Sequence, residues 1–315
     1  MEKRNLSYLI CSGFPQKEID EAFKIYKKFP PGIVLLFSDN ITGKEEVKDL
    51  CKEIKKLKSM PLVAVDMEGG RVNRLKNIFG EKPKAEEYGK WEEEKIEKMA
   101  YQWACEMKSI GIDIDFAPCV DLGPVKEGTG LEGRVLSDNF EEVIKKGFAF
   151  LKGLHQGGII GSIKHFPGLG SSEVDSHLKL PIVNLNKKEL EKHFKIFKIL
   201  RHNSPILMVA HCIYKSIDEE FPSSLSKKII KKIKPYKGLI ISDDLEMGAL
   251  SSFGNISERA YLSLKAGCDM VIISHNFFEI EEVVKKFNFK GKINKYILWK
   301  RRALKNVKRT FAARY

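Results

Sequence analysis

Apolar residues in this 315-residue chain collect in short runs of strand length. The runs are Tyr8–Cys11, Ile33–Phe37, Leu62–Val65, Ile112–Phe116, Ile159–Ile163, Ile206–Ala210, Leu239–Ile241 and Met270–Ile273. Between them lie stretches rich in Lys, Glu, Leu and Ala whose apolar positions recur at helical spacing. These are Glu18–Phe29, Lys44–Lys58, Glu92–Ile110, Phe140–Gln156, Lys187–His202 and Ser257–Ala266. Strand alternating with helix implies a parallel sheet. Eight such units suggest one α/β domain over residues 1–315, a (β/α)8 TIM-type barrel. A doubly wound open sheet satisfies the same alternation.

The polar residues favour the barrel. Asp66 and Glu68 follow the third run, Asp115 lies in the fourth, and Lys164 and His165 follow the fifth. His211 follows the sixth, Asp243 and Asp244 the seventh, and Ser274 and His275 the eighth. In a barrel these strand ends converge on one face, whereas in an open sheet they spread along an edge.

Composition narrows the class. Hydrophobic residues make up 43% of the chain, ordinary for a globular protein. No apolar run nears the roughly 20 residues that cross a bilayer. The apolar segment near the N-terminus is too short for a signal peptide, so a cytoplasmic location is expected. The six cysteines are widely spaced with no C-x-x-C pair, which points to reduced thiols and neither a disulfide framework nor a metal site. The net charge of +13 comes mainly from lysines spread over every helical segment, and no nucleic-acid partner is expected from it. The exception is Lys285 to Arg314, with twelve basic residues and no acidic one. Ile297, Leu304, Val307 and Phe311 recur there at helical spacing, so a basic amphipathic helix packed on the body is expected at about 293–312.

Chemistry-bearing strings follow the strand runs. Asp66-Met67-Glu68-Gly69-Gly70-Arg71-Val72-Asn73-Arg74 reads as a salt-bridged turn or a polar binding loop. Lys164-His165-Phe166-Pro167-Gly168 is a basic pair before a turn, and Asp175-Ser176-His177 places a carboxylate two residues from an imidazole. Ser242-Asp243-Asp244-Leu245-Glu246-Met247 puts two acids at a strand end, where one can face a site and the other can cap a helix. An anionic nucleophile and a proton carrier are the two parts needed to cleave a bond to an acetal carbon. Gly128-Thr129-Gly130-Leu131-Glu132-Gly133 matches G-x-G-x-x-G, but it neither follows a strand nor opens a helix. It reads as a flexible loop rather than a dinucleotide cradle.

Taken together, these strings resemble the family 3 glycoside hydrolases, and within them the single-domain β-N-acetylglucosaminidases. The likeness runs from about Gly32 to Asp269 and keeps the motifs in order. It implies a retaining exo-β-N-acetylglucosaminidase with Asp243 as nucleophile and His177 as general acid/base, oriented by Asp175. It implies that Asp66, Lys164, His165, Arg134 and His211 bind the sugar, that no cofactor is needed, and that the substrate is a muropeptide or another fragment carrying N-acetylglucosamine. One position departs from the pattern: Leu169 stands where the family usually has a second His. A phosphorylase using the same nucleophile, another family 3 β-glycosidase and a non-catalytic sugar or nucleic-acid binder are the alternative readings.

Overall fold

The computed structural model describes residues 3–170, 172 and 174–312. Eight parallel strands close into a barrel: β1 Ile10–Ser12, β2 Ile33–Leu35, β3 Leu62–Val65, β4 Ile114–Asp115, β5 Ile160–Phe166, β6 Ile206–Val209, β7 Leu239–Asp244 and β8 Met270–Ile273. Each strand pairs with its sequence neighbours, and β1 closes the ring on both sides, with Cys11 opposite Ile33 in β2 and Ile272 in β8. The open-sheet alternative is therefore excluded. All eight strands fall on the apolar runs.

Three strands outlast their apolar runs, β1 by Ser12 alone, and the other two bear on the site. β5 continues through Lys164 and His165, where the register with β6 shifts between Ile163 and Phe166. β7 continues through Asp243 and Asp244, where the register with β8 shifts between Ile241 and Asp244. Such irregularities re-aim side chains and are common beside active sites. The backbone ladder, which carries no polarity signal, holds these polar residues in the strands.

The outer layer comprises α1 Ile19–Lys28, α2 Lys44–Lys55, α3 Glu93–Ser109, α4 Phe140–Gln156, α5 Lys187–Leu200, α6 Lys227–Lys231, α7 Ile256–Ala266 and α8 Ile280–Lys286, ahead of a long terminal helix, α9 Lys290–Ala312. Local sequence fixes several starts. Asn139 accepts the Glu141 and Glu142 amides at the head of α4, while Asn186–Glu189 and Asn255–Glu258 form capping boxes on α5 and α7. Close packing of α3 on α4 depends on a small residue. A Cβ on Gly153 would stand 2.3 Å from the Glu97 carbonyl oxygen.

α9 begins three residues before the expected 293. Its buried face is Ile293, Tyr296, Trp299 and Ala303, with Ile297 and Leu304 packed partly against the core. The Tyr296 hydroxyl donates to the Gly32 carbonyl at 2.6 Å and the Trp299 indole to Pro205 at 2.9 Å, so the helix is tied across the start of the barrel strands. The side chains of Val307 and Phe311 lie outside those described. Cys11, Cys51, Cys119, Cys212 and Cys268 are buried free thiols, and Cys105 is half-buried.

Candidate active site

The carboxyl ends of the strands enclose a cavity of about 500 Å3. Residues of β5, β7 and the loops after β3, β4 and β5 line it, including Asp66, Arg134, Lys164, His165, Asp175, His177 and Asp243. Seven of the eight expected site residues thus meet in one space, although Asp66 and Asp243 are far apart in the chain.

One wall is a buried charge network. The Lys164 ammonium, only 2% exposed, lies 2.7 Å from Asp66 Oδ1 and 2.5 Å from Glu68 Oε1. Arg134 grips Glu68 from the other side, with Nε and Nη2 each donating at 2.8 Å. Charged groups this deep persist only when paired and hydrogen-bonded. Burial works against the charged form of Glu68, and the Arg134 and Lys164 charges overcome it, holding the carboxyl well below its ordinary range. Burial also opposes charge on Lys164 and Arg134, but the Asp66 and Glu68 carboxylates keep the ammonium, and Glu68 the guanidinium, protonated. Glu68 is therefore ionised and unavailable as a proton donor. Its part is to hold the two cations that face the cavity.

His165 stands at the junction of this wall with a second buried acid. Its Nδ1 lies 2.7 Å from Asp121 Oδ2, and Arg134 Nη2 lies 3.2 Å from its Nε2. A guanidinium N–H can only donate, so Nε2 accepts and the Nδ1–H tautomer donates to Asp121. Asp121 also takes the Leu169 amide at 2.6 Å. The position where a family His is usual is thus held through its backbone, and Leu169 is buried. Burial raises the Asp121 carboxyl, but His165 and these donors bring it below the ordinary value.

Asp243 and Asp244 have opposite environments. Burial pushes Asp243 up, yet the imidazoles of His165 and His211 and the Asp244 amide hold it below the usual carboxylate range. That amide donates to Asp243 Oδ1 at 2.8 Å. Asp244 is pushed up to about 7 by burial and by the neighbouring Glu246 and Asp243 charges, against the opposing Glu246 amide and Ser274. One of the adjacent acids is thereby kept as an anion facing the cavity, while the other holds a proton through mildly acidic conditions.

The third component is the dyad in the loop after β5. Asp175 Oδ1 receives the His177 backbone amide at 2.9 Å and the ring Nδ1 at 2.7 Å. This chelation fixes the ring tautomer and leaves Nε2 for the cavity, with the side chain 62% exposed. The carboxyl of Asp175 sits below its ordinary value: burial raises it, and the His177 amide and ring outweigh that. The loop docks against the turn that follows β7, where the Gly248 and Ala249 amides donate to the His177 and Ser176 carbonyls at 3.0 and 3.2 Å.

His211 does not belong to this lining, which corrects the expectation that it binds sugar. It is fully buried beneath the strand ends, with Nδ1 2.6 Å from the Ser224 hydroxyl and Nε2 donating to the Asp244 carbonyl at 2.8 Å. Burial lowers its pKa, with Asp243 opposing in part, and its hydrogen bonds prop the end of β7. The 128–133 loop also departs from the flexible-loop expectation. Gly130, at φ +78°, lines the cavity, and a Cβ there would lie 2.8 Å from Asp175 Oδ2. Its carbonyl accepts from Arg134 Nη1 at 3.0 Å. Asp121 was missed because it lies beyond the fourth run without a motif around it. At the mouth, Phe37 stacks on His275 with ring centres 4.5 Å apart, and the Arg74 guanidinium lies over Phe37 at 5.8 Å. Only their positions at strand ends could have drawn attention to Phe37 and His275.

Among the described residues, two clusters hold three metal-ligand atoms within 4.8 Å of one another, Cys119–Asp121–His165 and Asp244–Glu246–His275. In the first, Asp121 accepts from both partners. In the second, Glu246 Oε1 accepts the His275 and Asn276 amides. Both arrangements are accounted for as hydrogen-bonded supports.

The model of the glycosyl hydrolase family 3 N terminal domain matches residues 9–301. A beta-hexosaminidase of Photobacterium profundum is 34% identical over 255 residues, covering 78% of this chain and 75% of that protein. NagZ from Neisseria gonorrhoeae, solved in complex with N-trifluoroacetyl-D-glucosamine, is 30% identical, with a TM-score of 0.79 over 91% of this chain and 89% of that one. A family 3 beta-N-acetylglucosaminidase from Paenibacillus sp. superposes with a TM-score of 0.87 over the whole chain at 24% identity, a likeness of fold. This chain spans 63% of the length of that enzyme.

Proposed function

This chain belongs to glycosyl hydrolase family 3, and from that premise we propose that it is a retaining exo-β-N-acetylglucosaminidase acting through Asp243 and His177. The observation that carries this reading is one cavity holding a half-buried carboxylate kept anionic, an Asp-oriented imidazole and a rim of paired cations. Asp243 attacks the anomeric carbon while protonated His177 delivers its Nε2 proton to the departing glycosidic oxygen. The resulting glycosyl–Asp243 ester is then attacked by water, whose proton passes to His177, and the carboxylate leaves with net retention. The usual second carboxylate of such enzymes is replaced here by an imidazole, which Asp175 orients through the ring Nδ1 at 2.7 Å. Asp66, Lys164, Arg134 and His165 offer donors and acceptors to the sugar hydroxyls. The natural substrate is a muropeptide fragment with terminal β-linked N-acetylglucosamine. The buried free thiols support a reducing, cytoplasmic setting, and among the described residues no helix is long and apolar enough to cross a membrane.

The direct test is proton NMR of a 4-nitrophenyl N-acetyl-β-glucosaminide during turnover, with and without inorganic phosphate. The β-anomer of N-acetylglucosamine should form first in both. The α-anomer forming first would refute retention, and a sugar 1-phosphate would make the chain a phosphorylase.

A further inference from the structure

A second cavity, of about 440 Å3, opens on the opposite end of the barrel. Its walls are the segments just ahead of β6 and β7 (Ser204–Pro205 and Lys237–Gly238), the ends of α4 and α5, and α9. That volume is within the range, roughly 300–1,000 Å3, of sites that enclose a small organic ligand. Three formal cations line it, Arg201, Lys237 and Arg302, together with His155 and His202, and no acidic side chain does. Among the described residues, no carboxylate pairs with any of the three cations.

Part of the wall is already fixed. Trp299 donates to Pro205, and Arg201 Nη1 donates to the Ile233 carbonyl at 2.6 Å. Two nitrogens in the same wall are left over: His155 Nε2 and Arg201 Nε are buried with no hydrogen-bond partner. Both are closed off from solvent, so they belong to the body of the wall and not to its surface. A simpler account is that basic residues collect here to complement the carboxyl ends of α4 and α5. Each helix end carries only about half a negative charge, felt within its last turn, so three full cations exceed that need.

We propose that this cavity binds a small anion carrying two or more linked phosphate groups, held by Arg201, Lys237 and Arg302. A single phosphate would leave part of the three positive charges unmatched, whereas a diphosphate or a nucleotide carries enough negative charge to meet them. The site is on the face remote from the glycosidase cavity and is independent of the reading given for that cavity.

The test is titration calorimetry of the full chain with pyrophosphate, and in parallel arms with inorganic phosphate and with a nucleoside triphosphate. Pyrophosphate should bind saturably at one site per chain. The double reversal Lys237→Glu with Arg302→Glu should weaken binding by about tenfold or more, while the equal reversal Lys27→Glu with Lys98→Glu, on exposed faces elsewhere, should change it less than about twofold. The single change Arg302→Gln should weaken it in the same direction and guards against misfolding of the double variant. Tighter binding of the triphosphate than of pyrophosphate would identify a nucleotide, and equal binding a free polyphosphate; both support the site. No saturable heat with either polyphosphate would overturn the proposal, as would equal weakening by both reversals, the signature of the overall positive field.

Discussion

His177 and Asp175 are close in sequence and act as one unit, because a single carboxylate oxygen holds both the His177 amide and its ring. Removing the ring should cost about 100- to 10,000-fold on substrates whose leaving group needs a proton. Activated aryl glycosides, which depart unprotonated, should still load Asp243, so His177→Ala should give a burst followed by slow hydrolysis. Asp175→Ala should show the same split more mildly, since the imidazole remains without its orienting partner. Equal loss on good and poor leaving groups, with no burst, would mean that the loop only shapes the pocket. Asp244 calls for a different measurement. Its folded pKa of about 7 is above its unfolded value, so the folded chain binds the extra proton between those limits and loses stability as pH rises through them. Asp244→Asn carries no such titration. Wild type should therefore lose roughly 2 kcal/mol relative to the variant between pH 5 and 7, read from denaturant midpoints at each pH. A difference independent of pH would contradict the assignment.

At the scale of elements, the docking of the His177 loop on the turn after β7 depends on Gly248. A Cβ there would stand 2.7 Å from the carbonyl oxygens of both His177 and Leu178. Gly248→Ala should push the loop outward and lower kcat by about tenfold or more, with little change in melting temperature because the turn is outside the barrel ladder. Unchanged turnover in a folded variant would show that loop position is not limiting. This dependence was not legible in the sequence, where Met247-Gly248-Ala249 is an ordinary turn. The Asp175–His177 pair was legible because both members sit in one short string. Glu68 was visible as an acid, but its grip on Arg134 and Lys164 joins three separate loops and strands, and no local spacing records it. His211 stood at a strand end like its neighbours, and sequence position could not say that its ring turns under β7 rather than into the cavity.

For the whole molecule, periodicity was enough for the alternation of strand and helix, because eight buried strands must each be apolar and each must be followed by a crossover, while the polar residues at the strand ends favoured a barrel over an open sheet. Closure then brings strand ends together irrespective of distance in sequence, which is why polar residues at those ends could be grouped before any coordinates. What periodicity could not place were the residues beyond the strand ends, such as Asp121 and Gly130, and the start of α9, where Lys290 carries no helix-cap signal. The same closure is what assigns chemistry to Asp243, an anion held on that face by the nearby His165 and His211 imidazoles and by the amide of Asp244 in its own strand. The most direct test of that assignment is to trap the intermediate. Incubation with a 5-fluoro N-acetylglucosaminyl fluoride, followed by intact-mass measurement and peptide mapping, should find one glycosyl group esterified to Asp243 and none in Asp243→Ala. A label on Asp244, or an oxazoline product with no protein adduct during turnover, would contradict the account.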